Sequence, residues 1–339
     1  MKLISYLADD EEDHLAILVD GIAYNAHKLD KRIPDNMSDF LFEGEEGMAW
    51  AKELDQKIKS GKVNASQGMK LEKLELLAPV PFPTSTRDAY AFRQHVEAAR
   101  RNRGVEMIPE FDEYPVFYFT NHNAIMGPGE IEVMPDHLQQ LDFELEVAIV
   151  IGQEGRNIKA EYADDYIAGF MIMNDMSARL LQMEEMKLNL GPAKGKDFCT
   201  VLGPWLVTPD ELEGYLVAPK TGHKGKAYDL KMSCQVNGKT VSEGNMADMD
   251  WTFAEIIERA SYGVDLLPGD VIGSGTVGTG CFLELNGTGK RLDPNFQPQW
   301  LQPGDKVVME VTGLGKLENT IEKAVDNFSI LALKKQAAK

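Results

Sequence analysis

Short apolar runs bounded by turn residues dominate the hydrophobic pattern, and they predict a mixed chain in which β outweighs α. Lys2–Leu7 and Ala16–Val19 read as strands with a turn at Asp20-Gly21, and helix is expected from Glu46 to Lys59. Ala78-Pro-Val-Pro-Phe-Pro83 follows, and its three prolines make a stiff, extended connector. A boundary is expected there, giving a small N-terminal β-containing domain (1–77), a connector (78–84) and a larger domain (85–335).

Beyond the connector, Phe143–Ile151 reads as a buried strand, and Phe170–Asn174 as another ending just before Asp175. Leu206–Val207, Leu230–Val236, Val271–Gly273, Phe282–Leu285 and Lys306–Val311 are expected as further short strands. Helices are expected at Asp88–Arg101 and Ser177–Met186. Leu267-Pro-Gly-Asp-Val-Ile and Gln302-Pro-Gly-Asp-Lys-Val form a quasi-repeat in which a Pro-Gly turn delivers the chain into a strand. The spacing does not fit regular βαβ units. The expected class is therefore α+β and β-rich, a mixed β-roll or sandwich rather than a doubly wound sheet.

Composition narrows the partners. The 35 basic and 54 acidic residues leave a net charge of −19, a field that repels nucleic acid and anionic membrane. No apolar stretch approaches the length of a membrane span, and the opening residues turn acidic before a signal-peptide core could form. Cys199, Cys234 and Cys281 are widely spaced and odd in number, as expected of free thiols in a reducing compartment. A cytoplasmic protein is the expectation.

Four carboxylates stand out by position. Glu144 and Glu146 sit two apart on the expected strand, so both share one face, roughly 6–7 Å apart at the backbone. They are either a solvated strand edge or a pair of like charges that a cation neutralises. Asp88 and Asp175 each precede an expected helix and read either as N-caps or as further ligands. Converged, the four would make an all-oxygen set suited to Mg²⁺, Ca²⁺ or Mn²⁺. His95 lies seven residues after Asp88, two turns along the expected helix and on the same face. Arg93, Arg100, Arg101 and Arg103 surround it, either as a solvated helix face or as a seat for an anion. Arg179 and Gln182 follow Asp175 at helical spacing. Lys194 and Lys196 lie in a glycine-punctuated loop that lacks the phosphate-loop pattern, and Gly273-Ser-Gly-Thr276 suits a loop whose backbone and hydroxyl approach a ligand.

In order along the chain, Asp88-Ala-Tyr-Ala-Phe-Arg-Gln-His95, Tyr114-Pro-Val-Phe-Tyr118, Asp142-Phe-Glu-Leu-Glu146, Asn174-Asp-Met-Ser-Ala-Arg179 through Gln182, Gly195-Lys-Asp-Phe198, Gly275-Thr276 and Leu283-Glu-Leu285 resemble the fumarylacetoacetate hydrolase family, with Pro303-Gly-Asp305 closing the match. The Arg-Gln-His form looks most like the larger, fumarylacetoacetase-type members. The resemblance implies a mixed β-roll, a homodimer and a divalent metal, Mg²⁺ first with Ca²⁺ or Mn²⁺ as alternatives, held by Asp88, Glu144, Glu146 and Asp175. It implies a water-activating pair of His95 and Glu284, with Lys196 and Gln182 stabilising an oxyanion. Tyr118, Arg179 and Thr276 would contact the substrate, and Thr200 would lie near the metal. Where the family places a further arginine this chain has Gly104, with Arg103 beside it as the substitute. The implied activity is hydrolysis of a carbon–carbon bond in a small anionic 1,3-diketo acid of the fumarylacetoacetate or acylpyruvate type, in tyrosine-type aromatic catabolism. The alternatives are decarboxylation, isomerisation or hydration of a 2-oxo acid on the same fold, or a non-catalytic metal- or anion-binding relative.

Overall fold

The computed structural model describes residues 1–335. The N-terminal run forms β1 (Lys2–Leu7), β2 (Asp13–Val19), β3 (Ile22–Asn25) and the long helix α1 (Gly44–Lys59). After the prolines come β4 (Thr86–Ala89), α2 (Arg93–Asn102), β5 (Phe117–Thr120) and β6 (Gly129–Val133). The centre is built from β7 (Leu145–Ile151), β8 (Ile167–Asp175), α3 (Arg179–Met186) and β9 (Thr200–Val207). The chain ends through β10 (Lys231–Val236), β11 (Lys239–Asn245), α4 (Phe253–Ala260), β12 (Val271–Gly273), α5 (Phe282–Leu292), β13 (Lys306–Val311) and β14 (Gly315–Lys323).

Two large sheets result. The longer strands of a twelve-stranded sheet run β3-β2-β1-β9-β8-β7-β12-β4-β5, and a five-stranded sheet runs β11-β10-β13-β14-β6. The period of two along β7 and β8 explains how they pack. Val147, Ile149, Phe170 and Ile172 face a core shared with Met232, Cys234, Val307 and Met309 of the smaller sheet. Ala148, Val150, Met171 and Met173 face the opposite way, onto Leu3, Leu15 and Ile17 and the α1 residues Ala51, Leu54 and Ile58. Each large aliphatic side chain so buried stabilises the fold by roughly 1.5–3 kcal/mol. The architecture is α+β and strand-rich with mixed sheets, as the hydrophobic pattern implied. Residues 1–77, expected as a domain of their own, pair through β1 with β9 and share that second core. The prolines at 79–83 mark a change of course within one sheet. No helix of the described residues is long and apolar enough to cross a membrane.

Three local expectations are corrected. Asp88 does not open a helix: it lies in β4, held between β12 and β5 by Gly273↔Asp88 and Asp88↔Tyr118 pairing, and α2 begins only at Arg93. Asp175 is likewise the last residue of β8 and not the cap of α3, whose N-cap is Ala178. Phe282–Leu285 is the first turn of α5 and not a strand, because Asp142 and Cys281 take its N-terminal backbone donors.

Candidate active site

The same end of the central sheet gathers the ends of β4, β7, β8 and β12. Glu146 shares its face of β7 with Ala148 and Val150, and Asp175 shares its face of β8 with Met171 and Met173. Both carboxylates therefore stand at the mouth of a face that is apolar further in. Asp88 arrives from β4 and Glu144 from the residue before β7. Carboxylate oxygens of Asp88, Glu144, Glu146 and Asp175 lie within 4.8 Å of one another, and all four residues are buried. Thr200 stands opposite Asp175 in the β8–β9 register and is buried too.

Two glycines make room for this cluster. A Cβ on Gly273 would lie 2.6 Å from Asp88 Oδ1 and 3.0 Å from Glu146 Oε2. Gly275 sits at φ +80°, where its N–H donates to Asp88 Oδ1 at 3.0 Å and to Glu146 Oε2 at 3.1 Å. The glycine-rich segment thus serves the carboxylates through its backbone, and the Thr276 hydroxyl donates to Glu146 Oε1 at 3.4 Å.

Charge is unevenly compensated across the four acids. Burial and the neighbouring charge of Asp175 push Asp88 up to about 7. Burial, then the adjoining Asp88, raises Glu146 well above the carboxylate range. Burial also raises Asp175, against the pull of Lys196. Glu144 goes the other way: burial opposes its ionisation, but Lys196 and Arg179 prevail and hold it below the usual range. Lys196 Nζ donates to Asp175 Oδ2 at 2.5 Å and also to Glu144 Oε2. Arg179, 2% exposed, donates to Asp142 at 2.8 Å, to Glu144 at 2.6 Å and to Gln182 Oε1 at 2.9 Å. Expected to grip substrate, Arg179 has each guanidinium nitrogen donating to a protein group: Nε to Asp142, Nη1 to Gln182 and Nη2 to Glu144. The Tyr118 hydroxyl donates to Asp175 Oδ2.

Against this network, Asp175 Oδ1 is buried without a hydrogen-bond partner among the described residues. An orphaned carboxylate oxygen inside a four-carboxylate cluster fits an all-oxygen seat for a hard divalent cation.

His95 and Glu284 meet beside the cluster. Both are buried, and His95 Nδ1 lies 2.7 Å from Glu284 Oε2. The other carboxylate oxygen of Glu284 accepts the Thr279 N–H at 3.0 Å. They converge through α2 packing on α5, not through the helical spacing from Asp88. Tyr90 stands edge-on to the imidazole at 5.9 Å between ring centres, and burial pushes its hydroxyl up to about 12. Arg103 is exposed at the end of α2, with Nε donating to Ala99 O at 3.1 Å, its one side-chain hydrogen bond among the described residues. Sequence reading assigned no role to Asp142, Tyr90, Thr279 or Cys281. Asp142 offered one usable signal, an acid set between Leu141 and Phe143 at the start of a buried run.

The arrangement sets four carboxylates suited to holding a hard cation beside a carboxylate-backed imidazole. The model of the fumarylacetoacetate (FAA) hydrolase C-terminal domain matches residues 84–322. Over 293 residues the chain is 29% identical to oxaloacetate tautomerase YisK of Bacillus subtilis (strain 168), spanning 85% of this chain and 87% of that protein. It is 30% identical over 304 residues to the human mitochondrial oxaloacetate tautomerase FAHD2A, spanning 89% and 84%. The solved fumarylacetoacetate hydrolase of Exiguobacterium antarcticum superposes with a TM-score of 0.69 at 25% identity, covering 96% of this chain and 100% of that one. These relatives are enzymes, tautomerases and a hydrolase, and the match extends over most of the chain. With the domain match running through every element that supplies the carboxylates and the His95–Glu284 pair, this chain belongs to the fumarylacetoacetate hydrolase family.

Proposed function

We propose that the protein is a divalent-cation-dependent tautomerase that moves a proton at the carbon beside the carbonyl of a 2-oxo dicarboxylic acid, oxaloacetate being the representative substrate. The observation that carries this reading is the buried His95–Glu284 pair, 2.7 Å apart, set against Glu144 of the carboxylate cluster. A cation held by Asp88, Glu144, Glu146 and Asp175, Mg²⁺ first among the candidates, would supply Lewis-acid polarisation of the substrate's oxygens. A neutral His95 takes the proton from the carbon, and the C–H electron pair moves into the enolate. Glu284 stabilises the imidazolium that forms and keeps the accepting nitrogen aimed. The proton then returns to oxygen or to carbon, giving enol or keto form. Arg103 and Tyr118 are the proposed contacts to the substrate's carboxylates and oxygens, with Thr276 beside them.

Carbon–carbon hydrolysis of a 1,3-diketo acid is the second reading, favoured by the same dyad, since a carboxylate-backed imidazole can also deprotonate water. It makes the larger demand. The oxyanion of the attacked carbonyl needs free donors. Of the two residues expected there, Lys196 has two of its N–H groups committed to Glu144 and Asp175, and Gln182, its carbonyl oxygen held by Arg179, keeps its amide N–H groups to donate. Proton transfer needs only the base and the polarised carbonyl. A homodimer forms part of the proposal, and light scattering of the purified protein checks it.

The test is a spectrophotometric assay of enol loss with oxaloacetate beside acylpyruvate and fumarylacetoacetate, with Mg²⁺ and with chelator. The proposal expects Mg²⁺-dependent interconversion of oxaloacetate forms without new carboxylic acid products. Rapid cleavage of a diketone together with inert oxaloacetate would reverse the order of the two readings.

A further inference from the structure

Next to the carboxylate cluster lies a second group of ligating side chains with different chemistry. A ring nitrogen of His95, a carboxylate oxygen of Glu144 and Cys281 Sγ lie within 4.8 Å of one another, and all three residues are buried. The first turn of α5 holds this group in place. Cys281 is the N-cap of that helix, and its sulfur accepts the Glu284 N–H at 3.5 Å. Glu284 in turn holds His95 Nδ1 through its carboxylate at 2.7 Å. One residue therefore orients both the thiol and the imidazole, and Nε2 of His95 keeps no hydrogen-bond partner among the described residues.

Donor type separates this group from the carboxylate seat. Four carboxylates suit a hard cation, whereas an imidazole nitrogen, a sulfur and one carboxylate oxygen suit a borderline or soft one. Metal–ligand bonds of about 2.0–2.3 Å in a tetrahedron place ligand atoms roughly 3.3–3.8 Å apart. The present spacing, within 4.8 Å, would have to close to that value on binding.

We propose that His95, Glu144 and Cys281 form an inhibitory site for a thiophilic divalent cation, with Zn²⁺ or Cd²⁺ as occupant. On binding, the S–H bond of Cys281 breaks heterolytically: its electron pair becomes the sulfur–metal bond and the proton passes to water. No oxidation state changes. The ion occupies the imidazole nitrogen that proton transfer requires, so loading the site stops turnover. That consequence rests on the role proposed above for His95, whereas the site itself does not.

The test titrates chelator-treated protein with Cd²⁺ while following the ultraviolet thiolate-to-cadmium charge-transfer band and the heat of binding. Wild-type protein is expected to develop the band with saturable binding. Cys281→Ser, which keeps a capping oxygen, is expected to lose it although Cys199 and Cys234 remain. His95→Gln retains the thiol and is expected to bind Cd²⁺ about tenfold or more weakly. A band that persists in Cys281→Ser, or an unchanged Cd²⁺ affinity in His95→Gln, overturns the site. In turnover assays with Mg²⁺, added Zn²⁺ should inhibit wild type at concentrations about tenfold below those that inhibit Cys281→Ser. Equal inhibition of the two overturns the inhibitory role. Inert oxaloacetate would count against the tautomerase reading alone, because the Cd²⁺ titration needs no substrate.

Discussion

Asp142 accepts the Phe282 N–H at 2.7 Å and the Leu283 N–H at 2.9 Å, and it also receives Arg179 Nε at 2.8 Å. One buried carboxylate thereby ties the helix that carries Glu284 to the guanidinium that grips Glu144. Asp142→Ala strands Arg179 without half of its compensation and uncaps α5. Denaturant unfolding should show a loss of about 3–5 kcal/mol, the usual consequence of removing one partner from a buried ion pair. A loss below about 1 kcal/mol would show that the link is not structural. Gly273 makes a complementary case, because its missing side chain is what admits the acids. An alanine there would press on Asp88 Oδ1 at 2.6 Å and Met173 Sδ at 2.8 Å. Gly273→Ala should cost about 1–3 kcal/mol of stability and weaken Mg²⁺ binding in calorimetry. Wild-type affinity in that variant would mean that the cluster has slack.

At the scale of elements, the turn-and-strand pattern and the helices expected at Glu46–Lys59 and Ser177–Met186 are legible, whereas the start of α2 and the state of Phe282–Leu285 are not. The two Pro-Gly-Asp turns do deliver the chain into β12 and β13, each with the aspartate accepting the backbone N–H three residues earlier, at 3.1 Å for Leu267 and 2.8 Å for Gln302. That chemistry is local and therefore readable. The state of Phe282–Leu285 is not local, since it depends on Asp142 arriving from 140 residues away to take the Phe282 N–H. Asp88 is illegible for a similar reason: its short polar-flanked strand acquires its identity only between β12 and β5. The four carboxylates were identifiable as residues, but their convergence depends on strand registers that spacing does not encode. The short segment His137–Gln140 yields a prediction of its own. His137 stacks on Phe198 at 4.0 Å, and burial, helped by Lys194, holds its pKa down to about 4. With an unfolded value near 6.5, the unfolded chain binds the extra proton between about pH 6.5 and 4. This contribution to stability is thus present above pH 6.5 and lost as pH falls through that window. His137→Phe should unfold with a shallower pH dependence over that range, and identical slopes would remove His137 as the cause.

For the molecule as a whole, the net charge of −19 says little about the site. What matters is a buried cluster in which Lys196 and Arg179 pair with Glu144 and, for Lys196, with Asp175, whereas Asp88 and Glu146 adjoin each other with no salt-bridge partner among the described residues. A bound cation should relieve the repulsion between those two. Free Mg²⁺ at one hundred times its dissociation constant should add about 2.7 kcal/mol to the stability of the folded state. Thermal melts with Mg²⁺ and with chelator check this, and coincident curves would argue against a cation seat. The central claim is that His95, backed by Glu284 beside that seat, moves the proton. Its most direct test follows exchange of the substrate's carbon-bound protons by NMR in heavy water, with Mg²⁺, for wild type and His95→Gln matched for cation binding. Exchange in the variant should fall about 10²–10⁴-fold. Exchange at the wild-type rate in a variant that still binds Mg²⁺ would contradict that claim.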